Sequence, residues 1–303
     1  MDIVNSLLVI FLVALLGMVS RKTGVFAREH VKIISAFVYY FALPALFFVN
    51  ISNTDLRAID YRIAVGSVLP ILVVLLVLYL CKLLKVVSRD NFILLSLSVC
   101  FGSNAFFGVA FFETLYGGKW LSVAVLMASV LGFTGIVLTL IYFEYARKKD
   151  NGWSFFLKII RNPLIISLCL GVFCSLFQIR LAVISSALSM VGKTAGGLAI
   201  FSLGIFMYDN FSVQSLKKAL VFSIFRSVAL PVSTCLILVG LGIDPELRRF
   251  LFLQSGIPAA ISLAVFAERY EYKVAELTGV VIMTSMLSLV TLVLLFVISK
   301  IAF

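Results

Sequence analysis

Two short groups of helix-breaking and polar residues interrupt apolar runs of this chain. The first covers residues 100–104 (Cys-Phe-Gly-Ser-Asn) and the second covers residues 254–258 (Gln-Ser-Gly-Ile-Pro). A break inside a membrane helix leaves backbone N–H and C=O groups unpaired, which is costly unless they line a cavity. Breaks at matching places in two halves of a chain therefore indicate the substrate site of a transporter.

The two breaks suit the binding of an anion. We expect each break to be followed by a half-helix whose N-terminus points at the middle of the membrane, starting at Asn104 in one case and at Pro258 in the other. Proline fits the first turn of a helix because its missing N–H is not needed there. Helix N-termini carry unpaired N–H groups and a partial positive charge, so two that converge favour a carboxylate. Asn104 adds amide donors.

Eight residues are the main candidate ligands of that substrate, the Ser255 hydroxyl is a further one, and three prolines are candidate hinges. Asn104 has an alternative role as a helix cap, and the glycines have one in close helix packing. Arg226 lies inside a span, where we expect it to attract an anion, to pair with a carbonyl at a break or to snorkel to the inner interface. The candidate ligands are Gly102, Ser103, Asn104, Arg226, Gly256, Ile257, Pro258 and Ser262, and the candidate hinges are Pro44, Pro70 and Pro231.

The chain lacks the residue groups that enzymes and metal sites need. No Asp or Glu occupies the middle of a predicted span, and the sequence has neither a His-Glu-x-x-His motif nor a His cluster. We therefore expect no enzyme activity, no metal and no cofactor. The coupling ion stays open between H⁺, Na⁺ and none, because the buried carboxylates or histidines of proton relays are not visible. A channel or a receptor is a further alternative, since breaks alone indicate irregular backbone and not turnover.

The composition is that of an integral membrane protein. Of the 303 residues, 62% are hydrophobic and 13% are charged, whereas soluble domains have about 25% charged residues. The net charge of +11 lies mostly in short loops beside apolar runs. It therefore indicates orientation in a membrane and not nucleic-acid binding.

Ten apolar runs are predicted to be membrane helices. One set of loops between them holds 16 Lys and Arg residues and the other set holds 7. The richer set should be cytoplasmic, which puts both termini outside. The predicted spans are residues 3–20, 31–51, 62–82, 91–114, 120–143, 162–178, 182–208, 218–241, 248–268 and 275–299.

The ten spans divide into two five-helix halves of opposite topology, residues 1–150 and 151–303. Inverted repeats with broken helices are a transporter architecture. The predicted fold is therefore an all-α integral membrane protein with ten transmembrane helices in two inverted five-helix repeats, in which broken helices 4 and 9 cross at mid-membrane. The matched positions are Pro70 with Pro231, Asn104 with Pro258, and Phe112 with Phe266.

The chain resembles the auxin efflux carrier family over essentially its whole length. The resemblance implies a fold related to that of the bile-acid/sodium symporters, with a scaffold domain from helices 1, 2, 6 and 7 and a transport domain from helices 3–5 and 8–10. Two departures, at Ala110 and Ser262, leave the substrate open. The stretches that carry the resemblance are residues 43–48 (Leu-Pro-Ala-Leu-Phe-Phe), 104–109 (Asn-Ala-Phe-Phe-Gly-Val), Leu203-Gly204, Arg226 ahead of Pro231, 256–260 (Gly-Ile-Pro-Ala-Ala) and 267–270 (Ala-Glu-Arg-Tyr).

The expected function is secondary transport of a small organic anion by alternating access, with efflux as the expected direction. The resemblance implies an auxin-like monocarboxylate or a malate- or malonate-like dicarboxylate. A sodium-coupled organic anion symporter of the bile-acid type is the alternative. Many plant members of the resembled family have a long cytoplasmic loop where this chain has the short loop at residues 144–153. The resemblance therefore implies a compact bacterial carrier of the inner membrane. Its expected partners are the substrate and the lipid bilayer, and a homodimer through the scaffold domain is left open.

Overall fold

The computed structural model describes residues 3–56, 61–116, 120–147, 161–210 and 213–302. In this part of the chain we find no β-strand, and two π-helical segments occur at Val38–Ala42 and Asn104–Gly108. The α-helices are α1 (Ile3–Lys22), α2 (Arg28–Phe37), α3 (Leu43–Ser52), α4 (Tyr61–Leu83), α5 (Arg89–Cys100), α6 (Val109–Tyr116), α7 (Leu121–Arg147), α8 (Pro163–Leu176), α9 (Ala182–Asn210), α10 (Val213–Gly240), α11 (Pro245–Ser255), α12 (Ile261–Tyr270) and α13 (Val274–Ala302).

Each predicted span coincides with a helix or with a broken helix whose ends differ by a few residues. The two predicted breaks are present, because α5 ends at Cys100 and α11 ends at Ser255. The all-helical membrane class is therefore confirmed, while the ten-span inverted repeat stays a prediction. Within the described residues, six helical stretches are long and apolar enough to cross a membrane: Glu29–Ser52, Tyr61–Leu83, Leu126–Ala146, Ala182–Asp209, Leu216–Gly240 and Val274–Ile301.

The helices group into two compact units, and neither unit is a sequential half. The predicted boundary between the halves, at residues 150 and 151, lies outside the described residues. Predicted spans 1, 2, 6 and 7 fall in the first unit, together with the second half of span 4 and the start of span 5. The scaffold and transport roles stay a prediction. The first unit comprises residues 1–59, 105–129 and 149–211, and the second comprises residues 60–104, 130–148 and 212–303.

Within the first unit, α1 and α9 pack with their backbones in close contact. A Cβ atom at Gly17 would overlap the carbonyl oxygen of Phe201, and one at Gly204 would overlap that of Ala14. Small residues at a membrane helix interface allow this approach. At the end of the same pair, Arg21 Nε donates to both carboxylate oxygens of Asp209 at 2.9 Å.

Pro44 lies in the first unit, just after the π-helical segment that joins α2 to α3. Proline has no N–H to donate, so the regular hydrogen-bond ladder is interrupted at this point of the helix. A local π-helical turn is one way in which a helix absorbs such an interruption. The helix therefore continues past Pro44 with altered winding, and its action as a hinge stays a prediction.

Within the second unit, α4 and α10 pack on each other near the two prolines that interrupt them. Pro70 and Pro231 are both buried. The Ser233 hydroxyl donates to the Leu230 carbonyl at 2.9 Å and approaches the Pro70 carbonyl at 3.4 Å. Helix α13 packs along α10, and also contacts α11 and α12. These helices form the frame around the two breaks.

Candidate functional site

The two breaks pair with each other through their backbones, within the second unit. We call residues 101–103 break 1 and residues 256–260 break 2. Gly102 and Ala259 form an antiparallel β-bridge. The Ser103 N–H donates to the Pro258 carbonyl and the Ala260 N–H donates to the Phe101 carbonyl, both at 2.9 Å. One N–H and one C=O group of each break are therefore satisfied by the other break.

The second half-helix begins later than the sequence predicts. Helix α12 starts at Ile261, with Ala260 as its N-cap residue, so the predicted start at Pro258 is wrong. Pro258 instead lies in the extended segment, where its carbonyl accepts from Ser103. Proline suits an extended position that needs an acceptor and no donor. The next N–H, of Ala259, donates to the Thr284 hydroxyl at 3.1 Å.

Arg226 of α10 holds carbonyl groups from the end of α5 and from break 2. Its Nη1 donates to the carbonyls of Ser98 and Val99, the latter at 3.1 Å, and its Nη2 donates to the Ile257 carbonyl at 3.0 Å. The first two carbonyls end α5, where the helix dipole favours a cation. The arginine is only 4% exposed. It therefore pairs with carbonyls at the breaks, and the snorkelling alternative is wrong.

A hydrogen bond between Asn104, which follows break 1, and Gln254, which lies just before break 2, also connects the two regions. Gln254 Nε2 donates to Asn104 Oδ1 at 3.4 Å, and Asn104 Nδ2 donates to the Gly102 carbonyl at 3.3 Å. The two side chains are 8% and 6% exposed. Asn104 therefore satisfies a carbonyl of its own break, and its predicted role as a substrate ligand stays a prediction. Each amide has a further N–H that can bind a ligand.

These side chains border a small cavity inside the second unit. The space that can hold water amounts to about 30 Å³, which is room for about two water molecules. The cavity contains the Arg226 cation and amide groups, while the described lining contributes no carboxylate. The lining residues are Gly66, Ser67, Pro70, Ile71, Val99, Gly102, Asn104, Leu131, Arg226, Leu230, Thr234, Leu251, Gln254 and Ser255.

The structure brings only part of the predicted site to this cavity. Gly102, Asn104, Arg226 and Pro70 line it. The other predicted residues of the second unit, namely Ser103, Gly256, Ile257, Pro258, Ser262 and Pro231, are not part of the described lining.

Two of those absent residues have a visible structural role. A Cβ atom at Gly256 would collide with the Leu295 side chain, so this glycine serves close packing against α13. Ile257 contributes its carbonyl to Arg226. The first turn of α12 supplies no described lining residue. The positive charge at the cavity is therefore that of Arg226, and the predicted contribution of a second helix N-terminus is not seen there.

Three polar lining residues, Ser67, Thr234 and Gln254, are not among the predicted ligands, whereas Ser255 is. Ser67 and Thr234 lie one helical turn from Pro70 and Pro231, and Gln254 belongs to the sequence of the second interruption. A hydroxyl within one turn of an in-helix proline is the signal for the first two, and a place in the interrupted stretch is the signal for Gln254. Ser67 and Ser255 already donate to carbonyls of their own helices.

Comparison with known proteins finds similarity to membrane transporters along nearly the whole chain. The profile of a family described as membrane transport protein matches residues 2–152 and 152–296. The chain is 22% identical to an uncharacterized transporter of Methanocaldococcus jannaschii, over 97% of each chain. It is 21% identical to auxin efflux carrier component 5 of Arabidopsis thaliana, over 96% of this chain and 95% of that protein.

A third relative is an uncharacterized transporter of Escherichia coli, which is 22% identical over 88% of each chain. The matched family consists of membrane transporters and not of enzymes. The predicted resemblance is thereby confirmed. Broken helices paired around a polar cavity, in a chain with membrane-spanning helices, fit such a transporter. The chain belongs to the auxin efflux carrier family of membrane transport proteins.

Proposed function

We propose that this transporter carries a small organic anion, which binds in the cavity beside the two breaks. The observation that carries the proposal is the Arg226 cation, which is buried and borders a cavity whose described lining contributes no carboxylate. A buried charge without a counter-charge is unfavourable. An anionic substrate would supply that counter-charge while it is bound.

The polar groups around Arg226 suit a carboxylate. Asn104 and Gln254 each have a second amide N–H, and the Thr234 hydroxyl lies on the same lining. Hydrogen bonds from amides and from a guanidinium to a carboxylate are stronger than bonds between neutral groups. We therefore assign Asn104, Gln254, Thr234 and the remaining N–H groups of Arg226 as substrate ligands. Gly102 leaves space for their approach.

Transport would proceed by alternating access, with the site opening in turn to each side. A cavity with room for about two waters is smaller than a dicarboxylate, so binding requires the surrounding helices to separate. The division of the helices into two compact units supports this proposal, because units that are packed internally can move as bodies. The first unit would be the scaffold and the second the transport domain, within the ten-helix inverted repeat.

The substrate class is a carboxylate of the auxin-like or malate-like kind. One of the relatives is called an auxin efflux carrier, and the proposed site is suited to the carboxylate that such substrates share. Export across a bacterial inner membrane, with both termini outside, is the direction and placement we propose.

A counterflow assay in proteoliposomes tests this function. Purified protein is reconstituted, loaded with a mono- or dicarboxylate, and its uptake of the labelled compound is followed. We expect saturable counterflow that Asn104→Ala reduces. The matched control is Asn162→Ala, because Asn162 is equally buried and caps α8 away from the cavity.

The control separates loss of stability from loss of the site. Removing the Asn162 cap should cost about 1 kcal/mol of stability and leave the apparent KM unchanged. Flux that does not saturate would instead indicate a channel. Equal transport by wild type and Asn104→Ala for every carboxylate tested would exclude the proposed ligand role of Asn104.

A further inference from the structure

Arg226 makes an arrangement of contacts that is usual for a metal ion rather than for a side chain. Its guanidinium touches three backbone carbonyls, two from the last turn of α5 and one from break 2. Carbonyls of unwound segments and of half-helix C-termini are the groups that bind Na⁺ in transporters with broken helices. In the second unit the cation that binds these carbonyls is therefore the guanidinium of an arginine side chain and not a bound metal ion.

The arginine has no carboxylate partner among the described residues. Arg21 with Asp209 and Lys273 with Asp90 are ion pairs among the described residues, and neither pair involves Arg226. The partners of Arg226 are thus dipoles, and the dipole of α5 adds to their effect because its C-terminus faces the guanidinium. The same carbonyls depend on the arginine, since a buried carbonyl without a donor is costly.

The position of Arg226 also links it to the pairing of the breaks. Ile257, whose carbonyl it holds, directly precedes Pro258, which accepts from Ser103. Gly102 lies so close that a Cβ atom there would be 2.9 Å from Nη2. A planar fork that binds several acceptors at once fixes their relative positions, which a point charge on a flexible stem does not do.

We propose that Arg226 is a positioning residue that acts as a built-in cation: it holds α5 and break 2 together where other carriers with broken helices bind a metal ion. Deleting its side chain should leave a vacant site lined by three carbonyls. A free guanidinium ion has the charge, shape and donors to fill that site. We call these three hydrogen bonds of Arg226 the clamp. The clamp does not depend on which substrate is carried. Only its effect on transport rests on the proposed function.

The test is thermal unfolding of the purified protein in detergent, with millimolar guanidinium chloride or the same concentration of choline chloride. The variants are Arg226→Ala and, as a matched control, Arg21→Ala in the first unit, which removes an arginine from a partly exposed ion pair. We expect Arg226→Ala to have the lower Tm of the two. Guanidinium should restore at least half of its loss, because an ion that binds the folded state raises apparent stability.

The control and the wild type should show no such gain. Equal shifts of Tm by guanidinium in all three proteins would overturn the proposal, and so would an Arg226→Ala variant as stable as Arg21→Ala. If Arg226→Ala does not fold, Arg226→Lys and Arg226→Met decide the question. The lysine variant keeps the charge and should be the more stable; a methionine variant of equal stability would exclude a role for the cation.

Transport separates positioning from simple stabilisation. At a temperature where each variant is folded, Arg226→Ala should have a raised KM for the anion, and guanidinium should lower it again. Recovery of Tm without recovery of KM would leave the clamp established and contradict only its effect on transport. If no protein, including the wild type, transports any carboxylate, the proposed function fails while the unfolding result still decides the clamp.

Discussion

Ser103 donates its backbone N–H to the carbonyl oxygen of Pro258 at 2.9 Å, across the point where two interrupted helices meet. This bond and the one from Ala260 to Phe101 turn two irregular segments into a short antiparallel pair. The pairing satisfies polar backbone groups that would be costly in an apolar environment. It also leaves Gly102 at the centre, between Arg226 and Asn104.

Gly102→Ala should impair transport more than stability. The added methyl group would lie 2.9 Å from both Arg226 Nη2 and Asn104 Nδ2. Both are ends of side chains, so the fold can adjust while the proposed ligands move out of place. We expect the transport rate to fall about tenfold or more, because moving a substrate-binding group by about 1 Å can have an effect of this size. Counterflow together with a Tm measurement checks this.

The matched change is Gly197→Ala in α9. A Cβ atom there has no neighbour within 4 Å, and alanine is favoured over glycine inside a helix by about 1 kcal/mol. This variant should be as stable as the wild type or more so, with unchanged transport. Equal transport by the two alanine variants would contradict the role of Gly102.

Gln254→Glu should strongly weaken the binding of an anion. The change puts a negative charge beside Asn104 Oδ1 and on the same cavity lining as Arg226, where it would repel a carboxylate or neutralise the arginine. We expect the KM to rise by at least about tenfold, since charges interact strongly in a site of low polarity. Concentration-dependent counterflow measures it.

Gln254→Met provides the neutral comparison, because it has a similar length and no charge. It should weaken binding less than Gln254→Glu. If both variants raise KM equally, the sign of the charge at this position does not matter. The proposed assignment of the cavity to an anion would then lose its main support.

Flux should not depend on a sodium gradient. Arg226 donates hydrogen bonds to backbone carbonyls of the kind that bind Na⁺ in other transporters with broken helices. We therefore expect uptake in the presence of Na⁺ and uptake in the presence of choline to agree within about a factor of two. The measurement is counterflow with each salt on either side of the liposome membrane. Uptake that follows the sodium gradient would favour the symporter of the bile-acid type.

Gly204→Ala should destabilise the first unit. Its Cβ atom would overlap the carbonyl oxygen of Ala14 on α1, and a backbone atom has little freedom to move aside. We expect a loss of about 1–3 kcal/mol, which is typical of overpacking. The Tm in detergent reports it, and Gly197→Ala on the same helix is again the control. A Tm equal to that of the control would show that α1 and α9 separate easily.

Much of the helical pattern could be predicted from the sequence, because apolar runs and their interruptions are local signals. Asn104 and Arg226 were also found in this way, since polar residues within apolar runs are rare. The rotational position of a residue on its helix is not visible without the packing. For this reason Ser262 was expected at the cavity and is absent from its described lining, whereas Thr234 was not expected and lies there.

Pro258 illustrates a second limit. A proline just beyond a helix break is consistent both with the first turn of a helix and with an extended segment. Which of the two conformations forms depends on whether another segment of the same chain offers a hydrogen-bond donor to the proline carbonyl. Here Ser103, which lies far away in the sequence, supplies that donor, and no local pattern reveals it.

The pairing of the breaks through main-chain atoms has a consequence for how such carriers diversify. Main-chain bonds form with almost any side chain, so residues such as Gln254 and Thr234 can change without dissolving the crossing. Arg226 and Gly102 have no such freedom, because one supplies the donors and the other the space. On the proposed function, new substrates would therefore require only a few substitutions around a constant framework.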